Sequence, residues 1–381
     1  MILNLSKMKR IAIIEIYSHH VFVKTLSSVL QRSGCHIDIY LSNKIYKEGE
    51  PLFQNNPTNV TFHISNTNES DFMFLRRIKP KIELENELVI LNSVQGYRIL
   101  FFFLIKFKIP TIAGAGRISE FFGSRYKVFG LKGIRRILHH NFTVFLLPKI
   151  IKRLKGIIVH TQQANDLALD NNYQEHIHKM PFSLYEGRSY IKKDNNINFL
   201  VTGSISDTSR DFDSLLNIFE NIWQKGLLKN KLVVLSNPKG DYGNKILTKM
   251  ENLSNLGYPI KYFSGWIPEE EYTLNSETAD FIIAPVLEAY YGKGELTSVT
   301  VESIKKGIPA IYPIWYKPEP QLESCSIYYN SFDDIINIIE NLSNNPKSVE
   351  QYQKLAQENL SYYSLENESK KMNNFLNNLN H

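Results

Sequence analysis

PVLEAYYGKGELTSVTVESIKKGIPAIYP, residues 285–313, is the stretch on which the fold turns. An apolar run, residues 281–284, leads into it and reads as a buried strand. Gly292 and Gly294 loosen the loop that follows. Thr297 and Ser298 stand where a helix begins, and Val299, Val301 and Ile304 continue it at helical spacing. Residues 310–312 make a second apolar strand. A helix N-terminus offers free N–H groups and a positive dipole end to a phosphate, and hydroxyls add donors. Thr297 or Ser298 can equally cap the helix, and the two roles are compatible. Glu302, one turn in, is either a solvent-facing charge or an inward acceptor, since Val299, Val301 and Ile304 surround it.

Outward from this stretch the same alternation repeats. A strand at residues 198–202 runs into Gly203-Ser204-Ile205-Ser206-Asp207-Thr208-Ser209-Arg210-Asp211. A glycine at a strand end lets backbone approach a ligand, and a cation near the next helix start can neutralise phosphate. An Arg in such a loop can also be merely solvated. Helices follow at residues 212–224 and 245–256, with strands at 232–235 and 260–263, and the last helices at 333–342, 348–360 and 365–379. Upstream, a strand at 10–16, a loop Tyr17-Ser18-His19-His20, a helix at 21–32 and a strand at 36–41 form a βαβ unit. Strands at 88–91, 110–113 and 156–160, with helices at 97–107 and 162–169, continue this first series. The polar, basic segment 183–196 separates the two series. The expected fold class is α/β: two Rossmann-like α/β/α domains facing across a cleft, with ligand at the carboxyl ends of the strands.

Length and composition agree with this and exclude other classes. The chain has 381 residues, 43% hydrophobic and 22% charged, enough for two buried cores. Its two cysteines, Cys35 and Cys325, form neither a disulfide framework nor a zinc set, and fit a reducing cytoplasmic compartment. The run at 11–16 carries Glu15 and is too short for a secretory signal. The run at 99–109 is broken by Lys106 and Lys108 and is far short of the roughly 20 residues a membrane span needs. No G-x-G-x-x-G follows the first strand, and neither a P-loop nor a G-x-S-x-G elbow occurs. Asp333-Asp334 opens a helix and reads as capping, so no metal ligand set is expected.

Net charge is +6, but unevenly spread. Residues 121–165 hold nine Lys and Arg and no acid. The stretch 121–155 interleaves these cations with large apolar residues, which suits an anionic bilayer face. An ordinary helix with a basic rim and a buried stripe reads the same way. No helix-turn-helix or RNA-binding signature accompanies it, so no nucleic-acid partner is expected.

The second half resembles the donor domain of the large retaining GT-B glycosyltransferase group called family four. The resemblance rests on four segments in order. These are residues 199–210 (strand, glycine, basic residue), residues 262–271 (YFSGWIPEEE), residues 279–285 (ADFIIAP) and residues 302–311 (ESIKKGIPAI). Residues 362–366 (YYSLE) are similar to the start of the family's terminal helix. The resemblance implies a nucleotide-diphosphate sugar as donor, no other cofactor, and a glycan or lipid-linked acceptor. It also implies envelope polysaccharide or lipopolysaccharide synthesis at the inner face of the plasma membrane. It implies that Arg210 holds the donor diphosphate beside Gly203, Gly294, Thr297 and Ser298. Glu302 would accept from the ribose, and the backbone at Gly265, Trp266 and Ile267 would contact the base. The family spaces two glutamates as E-x7-E. Here Gly294 stands eight residues before Glu302, with Glu295 one position off. The family's histidine near residues 116–117 is absent, which leaves His19, His20 and Glu120, with Glu295, as the catalytic candidates. The expected domains are 1–185 for the acceptor and 186–360 for the donor, with a terminal helix at 361–381 that can pack back on the N-terminal domain. An epimerase of the same fold and a catalytically inactive binding subunit are the competing functions.

Overall fold

The computed structural model describes residues 9–17, 19–53, 59–94, 98–115, 146, 149–171, 173, 176–188, 196–292 and 294–379, the side chains of residues 51–53 excepted. The chain forms two compact units, Met1–Ser183 with Leu365–His381, and Leu184–Ser364.

The first unit is built on seven strands: β1 (Arg10–Glu15), β2 (His36–Leu41), β3 (Val60–Ile64), β4 (Leu88–Leu91), β5 (Thr111–Gly114), β6 (Gly156–Val159) and β7 (His176–Lys179). Their order is β3-β2-β1-β4-β5-β6-β7, and every pairing is parallel. Ile11, Ala12, Ile13 and Ile14 of β1 are fully buried. A central parallel strand is covered on both faces, which is why it reads as a continuous apolar run. Helices α1 (His20–Arg32), α2 (Asn43–Phe53), α3 (Asp71–Glu85), α4 (Ile99–Leu104) and α5 (Gln162–Asp170) alternate with the strands. Helix α1 buries Phe22, Val23, Leu26, Val29 and Leu30, a stripe at helical spacing, while Val21 is exposed.

The second unit has six strands: β8 (Ile197–Thr202), β9 (Asn230–Leu235), β10 (Ile260–Tyr262), β11 (Phe281–Ile283), β12 (Ala310–Pro313) and β13 (Ile327–Tyr329). They run β10-β9-β8-β11-β12-β13, again all parallel. Its helices are α6 (Phe212–Gln224), α7 (Gly240–Asn255), α8 (Glu269–Glu277), α9 (Glu288–Tyr291), α10 (Ser298–Lys306), α11 (Pro320–Glu323), α12 (Phe332–Asn344) and α13 (Pro346–Leu360). Trp223 of α6 is buried and gives its ring N–H to the Asn230 carbonyl at 2.7 Å, so its burial leaves no orphan donor. The last helix, α14 (Leu365–Asn378), belongs to the first unit, where Phe375 stacks on His178 at 4.9 Å.

Both sheets reverse strand order at one point, β1/β4 in the first and β8/β11 in the second. Diverging connections open a crevice there, beyond the carboxyl ends of the strands.

Several elements escape the sequence pattern. β3 and β7 are the edges of their sheet and β13 an edge of the other, and their partial burial weakens the apolar signal. Helix α3 carries Pro80 inside it, which argues against a helix on local grounds. The helix expected at 97–107 is shorter, because Ile105 is extended at φ −93° and ψ 91°. An unbroken apolar run has no periodicity to mark its end, so packing decides it. The start of the expected linker is tied down rather than solvated. Tyr185 N–H donates to the Tyr363 carbonyl at 3.1 Å and Glu186 N–H to the Lys305 carbonyl at 2.8 Å. Arg188 donates to the carbonyls of Glu277 and Ala279. Residues 189–195 lie outside the described residues.

Candidate functional site

At the reversal point of the second sheet, β8 delivers Thr202 and Gly203 to the crevice. Gly203 has φ +100°, a conformation glycine adopts without strain. A Cβ there would collide with the Arg210 guanidinium and meet Ser298 Oγ at 2.5 Å. Glycine is therefore required twice, for backbone angle and for space. The loop from Gly203 folds back so that Arg210, 4% exposed, lies against the start of α10. Its Nη2 donates to Ser298 Oγ at 3.0 Å and its Nη1 reaches the Ser204 carbonyl at 3.4 Å. Its Cζ stands 5.4 Å from the Tyr291 ring centroid, a cation–π contact. Its Nε is buried with no partner. Among the described residues no acid pairs with Arg210, so this buried guanidinium has only hydroxyl, carbonyl and ring partners.

Helix α10 supplies the other side. Thr297 caps it, its hydroxyl accepting from Val299 N–H at 3.1 Å. Ser298 Oγ also lies 3.3 Å from Thr202 Oγ1, so the hydroxyl bridges β8, Arg210 and the helix start. Thr300 Oγ1 meets the hydroxyls of Tyr312 and Tyr316 at 3.1 and 3.0 Å, which holds the helix on β12. Gly307, at φ +65°, ends the helix in the left-handed conformation. Four residues after Ser298, and so on the same helix face, is Glu302. It is 8% exposed, and its Oε2 has no partner. Burial holds the Glu302 carboxyl above its ordinary range; Lys305, the Tyr272 hydroxyl and Lys306 pull the other way. Gly294, at φ +80°, and Glu295, 7% exposed, lie in the loop leading to α10. Trp266 is 88% exposed beside Gly265 and Ile267, in the loop after β10.

Thus the structure brings Gly203, Arg210, Thr297 and Ser298 to one point, with Glu302 one turn along. An oxyanion there would find a guanidinium, a hydroxyl and helix N–H groups together.

The first unit's reversal point is built around a residue the sequence reading passed over. Glu15, at the end of β1, is fully buried. Its Oε1 accepts from Tyr17 N–H at 2.5 Å, and its Oε2 from Asn92 Nδ2 at 2.6 Å and Ser93 Oγ at 2.5 Å. The loops after β1 and β4 are thereby locked together. An acid at the end of an apolar strand is the available signal, and it is visible in the sequence. His19 precedes α1 without capping it, its ring 5.7 Å from Phe182. His20 opens the helix with a buried, unpartnered Nδ1. His160, directly after β6, is a second missed residue; Phe22 and Phe182 sit edge-on to it at 4.4 and 5.4 Å. Glu120 lies outside the described residues.

Most of 121–155 is also outside them. In its described part Leu146, Ile150 and Leu154 are buried in the core, while Lys149, Lys152, Arg153 and Lys155 are exposed. This part has a buried stripe and a basic rim. Among the described residues no helix is long and apolar enough to cross a membrane.

No protein-family model matches the sequence, and no curated protein does. Solved structures match over nearly the whole chain. A glycosyltransferase from Rickettsia africae aligns with a TM-score of 0.65 at 11% identity, covering 98% of this chain and 99% of the other. Anabaena HepE, solved with UDP, gives 0.65 at 10% identity over 97% and 100%. The pneumococcal O-GlcNAc transferase GtfA, solved with UDP and GlcNAc, gives 0.65 at 8% identity over 98% and 99%. The chain has the GT-B glycosyltransferase fold, two Rossmann-like α/β units with parallel sheets of seven and six strands.

Proposed function

We propose that this chain transfers a sugar from a nucleotide-diphosphate donor, held by residues 184–364, to a glycan or lipid-linked acceptor held by the first unit. One observation carries the reading: the buried Arg210 guanidinium, packed on Gly203 and Ser298 at the reversal point of the second sheet, has no acid partner among the described residues. A diphosphate supplies the missing negative charge, and its oxygens match the guanidinium fork. Glu302 then accepts from a ribose hydroxyl, and the loop at Gly265, Trp266 and Ile267 borders the base. Glu295, His19, His20 and Glu120 are the candidates for the reacting sugar and acceptor. The solved GT-B structures containing UDP support a nucleotide donor. The nine cations without an acid in residues 121–165 support contact with an anionic membrane surface, where a lipid-linked acceptor would lie.

The test is a thermal-shift screen of nucleoside diphosphates and their sugar conjugates. A ligand at 100 times its Kd adds roughly 2.7 kcal/mol of stability. Stabilisation by none of them sinks the proposal. Release of nucleoside diphosphate that depends on added acceptor separates transfer from epimerisation.

A further inference from the structure

His160 follows β6 at the carboxyl end of the first sheet, the rim where ligands of open α/β sheets lie. It is 5% exposed. Its Nδ1 is 3.0 Å from the Met180 carbonyl, which can only accept, so Nδ1 carries the proton. That assigns the tautomer and leaves Nε2 as a bare lone pair. No partner for Nε2 exists among the described residues. Burial drives the imidazole's pKa down to about 4, so the ring is neutral and Nε2 stays an acceptor near neutral pH.

The surroundings are aromatic. Phe22 and Phe182 stack on each other at 5.3 Å and both present edges to the imidazole, while His19 stands edge-on to Phe182. Phe182 is only half-buried. Here one nitrogen is anchored to the backbone and the other presents a single acceptor beside an aromatic surface. Sparse, fixed polar groups in an aromatic lining are the usual composition of a small-ligand site.

We infer that His160 is a saccharide contact of the acceptor side, its Nε2 accepting a hydrogen bond from a sugar hydroxyl that lies against the Phe182 ring. The inference rests on the reading of the chain as a sugar transferase with its acceptor in the first unit. His160 is a recognition residue here; its neutral ring accepts a hydrogen bond and takes up no proton.

Two substitutions separate this role from a structural one. His160→Asn places an amide N–H near the Nδ1 position and keeps the bond to Met180, but has nothing at Nε2. His160→Gln reaches the Nε2 position with an acceptor and gives up the Met180 bond. The probes are methyl glucoside, methyl galactoside and methyl N-acetylglucosaminide, titrated into the full-length chain with Kd read by saturation-transfer NMR. A nucleoside diphosphate is titrated in parallel. His160→Asn should weaken methyl glycoside binding about tenfold, one hydrogen bond's worth, and His160→Gln should stay nearer wild type. The reverse ordering marks His160 as a structural residue and overturns the inference, as does wild-type protein that binds none of the glycosides. Glycoside binding without nucleoside diphosphate binding would instead defeat the transferase reading and leave the subsite standing.

Discussion

The two reversal points place opposite charges in opposite states of completion. In the first unit, Glu15 is buried with Tyr17 N–H, Asn92 Nδ2 and Ser93 Oγ aimed at its carboxyl. In the second, Arg210 is buried with its Nε unpartnered, and one turn along α10 the Glu302 Oε2 is unpartnered as well. A buried polar group left open lowers stability by about 1–3 kcal/mol, so an open one at a sheet's reversal point calls for an account, and a ligand is one. The Glu15 carboxylate is closed, although Asn92 Oδ1 and His20 Nδ1 beside it are not, and it fixes two loops relative to one sheet. The difference lies in satisfaction, and neither residue type nor burial alone reveals it.

The largest expected effect tests the closed side. Glu15→Ala removes the acceptor for three donors at once and should destabilise the protein by about 3 kcal/mol or more. Denaturant unfolding measures this. A loss near zero would mean that the loops after β1 and β4 hold themselves, and the contrast with Arg210 would collapse.

The open side should respond in binding before stability. Arg210→Ala should lower nucleoside diphosphate affinity by about 1.5–3 kcal/mol, the scale of charge-assisted bonds, with little change in unfolding midpoint. Arg210→Lys should recover little of it, because an ammonium lacks the planar fork. Isothermal titration decides: equal affinity in wild type and Arg210→Ala ends the diphosphate assignment.

The smallest effect sharpens the comparison. Glu302 has its carboxyl pKa raised by burial. For a group shifted upward, the stabilising contribution is present below the unfolded value of 4.5 and is lost as pH rises through the folded value. Glu302→Gln removes that ionisation. It should leave stability unchanged below about pH 4 and raise it by about 1 kcal/mol near pH 7, while donor affinity falls. Chemical denaturation at the two pH values, with ligand titration beside it, gives the answer. A variant less stable at both would make Glu302 a structural residue.

Much of the second unit's candidate site is readable from residues. Glycine at a strand end, an arginine seven positions on and hydroxyls at a helix start are local features, and the βαβ alternation places them at one sheet end. Glu302 among Val299, Val301 and Ile304 is readable as an inward acid for the same reason. The first unit's reversal point is much less so. Glu15 appears only as an interruption of an apolar run, and His160 only as the last letter of a strand. The chemistry of each depends on partners far along the chain.

Sequence alone therefore determined the alternation of buried strands and amphipathic helices, the two successive α/β series and the hydroxyl-bearing, capped start of α10. These follow from periodicity and capping, which act over a few residues. Only the tertiary structure decided that β3, β7 and β13 complete the sheets, that residues 184–188 are anchored, and which buried polar groups are satisfied. Arg210 meets Ser298 across 88 positions and Glu15 meets Ser93 across 78. Whether such a group is closed or open depends on what the fold brings beside it, and no local pattern encodes that.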